Sequence, residues 1–137
     1  MRARGFTLIE VLIVCVIVGV LAAIALPSYL SSIQKSRRSD AKSALVGAAG
    51  QMERYFTERG TYATASLGSG PANVAPSTSL NGYYNLTFAV KTTTTYTLNA
   101  APAGAQVGDP CGTFTYDYQG NKNVTAASKP ATECWGQ

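Results

Sequence analysis

The sequence predicts an α+β fold: one long N-terminal α-helix packed on a four-stranded antiparallel sheet. Three observations carry that expectation. From Phe6 to Leu26 only Thr7, Glu10 and Gly19 are not plainly apolar. Beyond that run, apolar positions recur at steps of three and four as far as Arg59, the spacing of one helix face. After Tyr84 the pattern changes to strict alternation, which marks half-buried strands. With 137 residues the chain has room for one modest domain with a real core.

The first element is the helix. The 21 residues of its apolar run, Phe6 to Leu26, are enough to span a bilayer. Pro27 would remove a backbone hydrogen bond and kink a continuing helix. The stripe nevertheless resumes through Tyr29, Ile33, Arg37, Ala41, Leu45, Ala48, Met52, Tyr55, Phe56 and Arg59. The expectation is one helix over about residues 6–58, kinked near Pro27, ending before Gly60, with its second half against a sheet. Gly47 and Gly50 each weaken it by up to about 1 kcal/mol relative to alanine. Either another backbone approaches closely there, or the helix is locally soft.

Residues 60–82 are rich in Ala, Ser, Gly, Pro and Asn and show no clear period, which predicts a long loop or a disordered connector. Strands follow. Tyr84, Leu86, Phe88 and Val90 share one face, with Asn85, Thr87 and Ala89 on the other. After a turn near Lys91 and Thr92, Tyr96 and Leu98 continue the apolar face. Phe114, Tyr116 and Tyr118 repeat it, and Gln119 to Lys122 supply turn residues before a short strand at 123–125.

The formal charge of +4 falls to +2 without Arg2 and Arg4, too little to argue for an obligatory nucleic-acid partner. Lys35, Arg37 and Arg38 read as a solvated helix face. Of the three cysteines, Cys15 lies in the apolar run, while Cys111 and Cys134 stand alone in the polar C-terminal half. Such a pair in an exported domain suggests a disulfide, which requires an oxidising compartment; free thiols in a cytosolic protein are the alternative. There is no histidine, no phosphate-binding glycine loop and no acid cluster with metal-ligand spacing, so enzymatic activity and a bound metal or cofactor are not expected. Asp109, Asp117 and Glu133 read as scattered surface positions, and the tyrosines as core. The sequons at Asn85 and Asn123 match a pattern that arises easily by chance.

Glu10 is the anomaly, because a carboxylate in a spanning segment costs roughly 3 kcal/mol or more. Ala23-Ile24-Ala25 fits a secretory cleavage site, and Cys15 a lipoprotein signal, but the run is long and Val14 is bulky for the latter. Gly5-Phe6-Thr7-Leu8-Ile9-Glu10, behind Arg2 and Arg4, resembles the prepilin cleavage motif of the type IV pilin superfamily. The resemblance implies that prepilin peptidase cuts after Gly5 and that the new N-terminal Phe6 is N-methylated. The stretches around Tyr55 to Tyr62, Gly108 to Asn123 and Glu133 to Gln137 are similar to small Gram-negative minor pilins.

From that resemblance follow a pilin fold and a partition of the chain. Residues 1–5 are a cleaved leader, 6–26 a transmembrane and filament-core helix, 27–59 its amphipathic continuation, 60–82 the αβ-loop, and 83–137 the sheet with a disulfide-bounded C-terminal region. It also implies a role for Glu10. A buried carboxylate needs a cationic partner or it protonates, and a Phe6 ammonium supplies one during assembly, that of another subunit, of the same one, or both. The implied function is a structural subunit of a type IV pilus, with adhesion, twitching motility or DNA uptake as uses. Its partners would be the peptidase, other pilin subunits, the inner membrane before assembly, and the pilus assembly machinery. The N-terminus would be cytoplasmic and the C-terminal domain periplasmic, then displayed on the surface filament. Rivals are a pseudopilin of a type II secretion system and a membrane-anchored periplasmic binding module. The charge neither supports nor excludes a DNA partner.

Overall fold

Helix α1 occupies Leu8–Arg59, and within it the chain divides into two compact units, Met1–Lys35 and Ser36–Gln137. The computed structural model describes residues 6–71 and 73–136. Gly5, Arg2 and Arg4 therefore lie outside the described residues.

In the first unit α1 is helical through Pro27 without interruption. Proline has no N–H to offer the carbonyl of Ala23, so one rung of the ladder is missing at the place where the kink is expected. None of the described residues of this unit is buried. Leu8 is 83% exposed, Val16 57% and Leu26 59%, so apolar side chains face outward all round the helix. Such a helix needs cover from something other than its own chain.

In the second unit α1 buries Ala41, Leu45, Ala48, Ala49 and Met52. Gly60 ends the helix in the left-handed region, φ +69°, with its N–H donating to the Phe56 carbonyl at 2.7 Å. Four antiparallel strands follow: β1 (Tyr84–Lys91), β2 (Tyr96–Pro102), β3 (Thr113–Asp117) and β4 (Lys122–Thr125), in spatial order β1-β2-β3-β4. Their inward residues Tyr84, Leu86, Tyr96, Leu98, Ala100 and Phe114 join the helix residues in one core. Small helix residues leave room for large sheet residues. Full burial of Leu98 or Phe114 contributes about 1.5–3 kcal/mol each. Rings interlock through it: Tyr62 with Tyr96 at 4.9 Å, Tyr84 with Phe114 at 5.9 Å, Phe114 with Trp135 at 5.4 Å.

Three local expectations are corrected, and one element appears that the sequence reading did not address. Val90 is 47% exposed rather than inward, because the ladder slips between Phe88 and Val90. Phe88 faces Leu98, Ala89 is the extra residue, and Val90 opposes Thr97 on the outer side. The β1–β2 turn is Thr92–Thr95, with Lys91 still paired to Tyr96. Tyr118 is 43% exposed, since β3 ends one residue earlier at Asp117 and alternation ends with it. Finally, a short helix α2 (Ala131–Trp135) follows β4 and buries Cys134 and Trp135. Five residues are too few to show a helical period.

The described residues of 60–82 form no helix or strand, but they are fastened. Tyr62 donates its N–H to Thr93, Val74 to Ser66, and Leu86 to Ser77, while Thr78 bridges Asn85 beside β1. Tyr62, Ala65 and Ala75 are buried in the core. At Gly47 and Gly50 an added Cβ would meet nothing within 4 Å, so among the described residues no backbone outside the helix packs closely on either glycine.

Candidate assembly site and disulfide-bounded region

Two places are candidates for function, one in each unit. In the first, Thr7 precedes α1 and caps it. The Glu10 N–H lies 3.1 Å from the Thr7 carbonyl and 3.4 Å from Thr7 Oγ1, and the Val11 N–H lies 3.3 Å from the same carbonyl. This is half of a capping box, and the spacing Thr-x-x-Glu is the signal that sequence reasoning passed over. It fixes Glu10 at the third helical position, where a negative charge also suits the helix dipole. Phe6 is 78% exposed and Glu10 is exposed. Among the described residues the Glu10 carboxylate forms no ion pair. In the uncut chain the Phe6 nitrogen is an amide, so a cationic terminus arises only on cleavage before it.

In the second unit Cys111 and Cys134 are bonded, Cα to Cα 5.6 Å, across 23 residues that hold β3, β4 and most of α2. On the chain-entropy account, closing such a loop stabilises the fold by roughly 3 kcal/mol. Cys15 is a free thiol, exposed in the first unit.

Asp109, expected at the surface, is buried at 5% exposure beside this disulfide. It takes Arg38 Nη2 at 2.6 Å, Gln106 Nε2 at 2.7 Å, the Tyr84 hydroxyl at 3.1 Å and the Cys111 N–H at 3.1 Å. Burial by itself pushes the Asp109 carboxyl up, but Arg38, the Cys111 N–H and Gln106 outweigh it and hold the group below the usual carboxylate range. Arg38 is likewise buried, at 7% exposure, and not part of a solvated face. Its position was readable, for residues 38, 41, 45, 48 and 52 step by three and four along the buried stripe. Arg37 stacks over Tyr83 at 4.6 Å and donates to the Ala105 carbonyl, whereas Lys35 is exposed.

The other acids behave differently. Asp117 accepts the N–H groups of Gln119 and Asn121, both at 2.9 Å, and so holds the β3–β4 turn. Glu133 is exposed and pairs with Lys129. Glu53 accepts the hydroxyls of Tyr62 and Tyr96 at 3.0 Å. Burial, then the hydrogen bond and charge of Glu53, push Tyr62 up to about 12. Among the described residues no group of three or more His, Cys, Asp or Glu is placed to hold a metal ion.

Residues 27–115 match the family described as Type IV minor pilin ComP, DNA uptake sequence receptor. The chain belongs to this family. Residues 1–26 of this pilin match the prokaryotic N-terminal methylation motif. It is 37% identical over 81 residues to the fimbrial protein EcpC of Eikenella corrodens, covering 59% of this chain and 50% of that one. It is 35% identical over 77 residues to the type II secretion system core protein G of Dickeya chrysanthemi, covering 56% of this chain and 50% of the other. The match thus spans about half the length of these curated relatives. In fold the pilin is similar to the non-core minor pilin PilV of Neisseria meningitidis, with a TM-score of 0.58, 24% identity, and 74% of this chain and 95% of that one covered. The N-terminal apolar helix fits membrane anchoring.

Proposed function

We propose that the chain is a structural subunit of a type IV pilus, made as a membrane-held precursor, cut after Gly5, N-methylated on Phe6 and built into a surface filament. The observation that carries this is the first unit: an apolar helix with no buried residue, bearing one acid three residues from its start. Lipid covers it before assembly, and the helices of neighbouring subunits cover it afterwards. Transfer between the two leaves the apolar cover equivalent. Pairing of Glu10 with a Phe6 ammonium then adds a preference for the filament and sets axial register. The disulfide suits a domain exported to an oxidising compartment. Pro27, with its missing hydrogen bond, is the place where this helix would bend.

The test is location. Fibres sheared from cells and separated from membranes should contain this chain, lacking residues 1–5 and methylated on Phe6. Gly5 changed to a bulky residue should leave an uncleaved, membrane-held precursor. A chain found only in membranes would favour the binding-module reading. Appearance solely with a secretion apparatus would favour a pseudopilin, a reading supported by the likeness to core protein G.

The matched family description supports a second, compatible reading: the exposed second unit contacts incoming DNA. Lys91 and Lys122 are exposed there, and Lys122 lies over the Trp135 ring at 5.6 Å. Duplex binding by the full chain should weaken steeply with salt, and Lys122→Ala should reduce that salt slope.

A further inference from the structure

Asn81-Gly82 is the one Asn-Gly pair in the sequence, and both residues are exposed. They end a turn that begins at Ser79: the Gly82 N–H donates to the Ser79 carbonyl at 3.0 Å, and Gly82 stands at φ +71°. Nothing lies within 4 Å of the place a Gly82 Cβ would take, so no side chain crowds the Asn81 amide on that side. The turn is held at two points. At its base the Ser79 N–H donates to the Tyr84 carbonyl at 2.9 Å, and the Ser79 hydroxyl accepts the Tyr84 N–H at 3.0 Å. At its tip Asp40 of α1 accepts the Asn81 Nδ2 at 3.1 Å and the Asn81 N–H at 3.4 Å, both on Oδ1. Asp40 is 8% exposed, and Asn81 supplies both hydrogen bonds that its carboxylate accepts among the described residues.

We propose that Asn81-Gly82 is a deamidation site whose conversion releases this turn from α1. The Gly82 nitrogen gives up its proton and bonds to Asn81 Cγ; ammonia leaves with that proton, and a five-membered succinimide closes. Water then adds across one of its two C–N bonds, leaving aspartate or isoaspartate. Water is the only reactant consumed and ammonia the only product released. Both the Asn81 amide and the Gly82 N–H are engaged while the turn is closed, so attack proceeds through local opening, and the Asp40 hydrogen bonds set how often that occurs. The product does not close again. A carboxylate at position 81 faces the Asp40 carboxylate where a donor stood, and the two like charges repel beside a buried group. Isoaspartate also lengthens the backbone between the Ser79 carbonyl and the Gly82 N–H by one methylene, so their hydrogen bond no longer fits. Through Tyr84, the first residue of β1, the release reaches the start of the sheet. The change accumulates with the age of the chain, and it proceeds with or without a filament.

The experiment ages the full chain in detergent at neutral pH, digests it, and reads each asparagine by mass spectrometry with electron-transfer fragmentation, which tells isoaspartate from aspartate. Asn81 should convert several-fold faster than Asn85, Asn121 and Asn123, which are also exposed but precede Leu86, Lys122 and Val124. Asp40→Ala removes the acceptor that holds the tip of the turn and should speed conversion several-fold more. Hydrogen exchange reads the consequence. Asn81→Asp should raise exchange of the Gly82 amide several-fold. Adding Asp40→Asn, which again sets one amide against one acid, should recover much of the protection. Conversion of Asn81 no faster than that of the other three asparagines would overturn the site. An unchanged rate in Asp40→Ala, or unchanged Gly82 exchange in Asn81→Asp, would overturn the release from α1.

Discussion

Arg38 and Asp109, 71 residues apart in sequence, meet in a buried pair with Nη2 2.6 Å from Oδ1. Through it one carboxylate gathers α1, the β1 hydroxyl of Tyr84, the 3₁₀ turn residue Gln106 and the backbone beside the disulfide. The pair therefore ties the helix to the C-terminal region by polar bonds, where the aromatic core ties it by packing.

Removing one partner should cost more than removing both. Arg38→Met leaves the buried Asp109 carboxyl without its cation, and should destabilise the second unit by about 3–5 kcal/mol. Arg38→Met combined with Asp109→Leu should recover most of that loss. Denaturant titration of the full chain in detergent checks it. Equal losses in the single and double variants would show that the pair contributes through shape and not through charge.

The same carboxylate predicts an acid limb. Its folded pKa lies below its unfolded value, so the stability it contributes is present above the unfolded pKa and is lost as pH falls through the folded one. The melting temperature should drop on acidification below about pH 4, and Asp109→Asn should flatten that drop. At the other end Tyr62 is raised to about 12 by burial and by Glu53, and Tyr84 and Tyr96 are raised further, with burial the leading cause in each. A raised folded pKa gives stability that is full below the unfolded value near 10 and lost as pH climbs beyond it. Phenolate absorbance should appear for these three only as the domain unfolds.

Reduction should loosen the C-terminal region. Cys111→Ser with Cys134→Ser should cost roughly 3 kcal/mol, and proteolysis should then begin near α2, which the bond holds through Cys134. Thiol titration of the denatured, unreduced chain should find Cys15 alone.

How much of this was legible follows from the kind of interaction concerned. The helix, its exit before Gly60, the four strands and the cysteine pair are local or periodic, and single-sequence patterns report them. Val90 was misread because alternation assumes an unbroken ladder, and the extra residue Ala89 turns the following side chain to the other face. Asp109 was misread because its burial depends on a cation 71 residues away, which no local composition encodes. Arg38 was within reach, on the helix spacing, once a charge was allowed on the buried stripe. At the candidate assembly site the motif from Gly5 to Glu10 was plain in sequence, and the cap supplied by Thr7 was legible too, in the Thr-x-x-Glu spacing.

Gly112 gives a sharper test of the backbone. It sits at φ +55° between Cys111 and β3, and a Cβ there would lie 2.4 Å from the Thr125 carbonyl oxygen and 2.6 Å from that of Ala126. Neither atom is the end of a flexible side chain. Gly112→Ala should lower stability by at least about 2 kcal/mol and slow formation of the adjacent disulfide. The same change at Gly47, where nothing lies within 4 Å, should leave the isolated subunit as stable or more so.

Glu10 carries the last prediction. Glu10→Ala leaves Gly5 and Phe6 untouched, so cleavage and methylation should proceed, and it removes the one acid that makes the membrane segment costly. The mature chain should therefore accumulate in the membrane and fall several-fold in sheared fibres. Glu10→Gln separates the two ways a carboxylate can act. It keeps the size and the hydrogen-bonding capacity but cannot pair with an ammonium, so it should fail as alanine does. If glutamine restores fibres, Glu10 works through hydrogen bonding alone. If alanine gives fibres at the unaltered level, the acid serves only the helix start, where the Thr7 hydroxyl already accepts the Glu10 N–H at 3.4 Å.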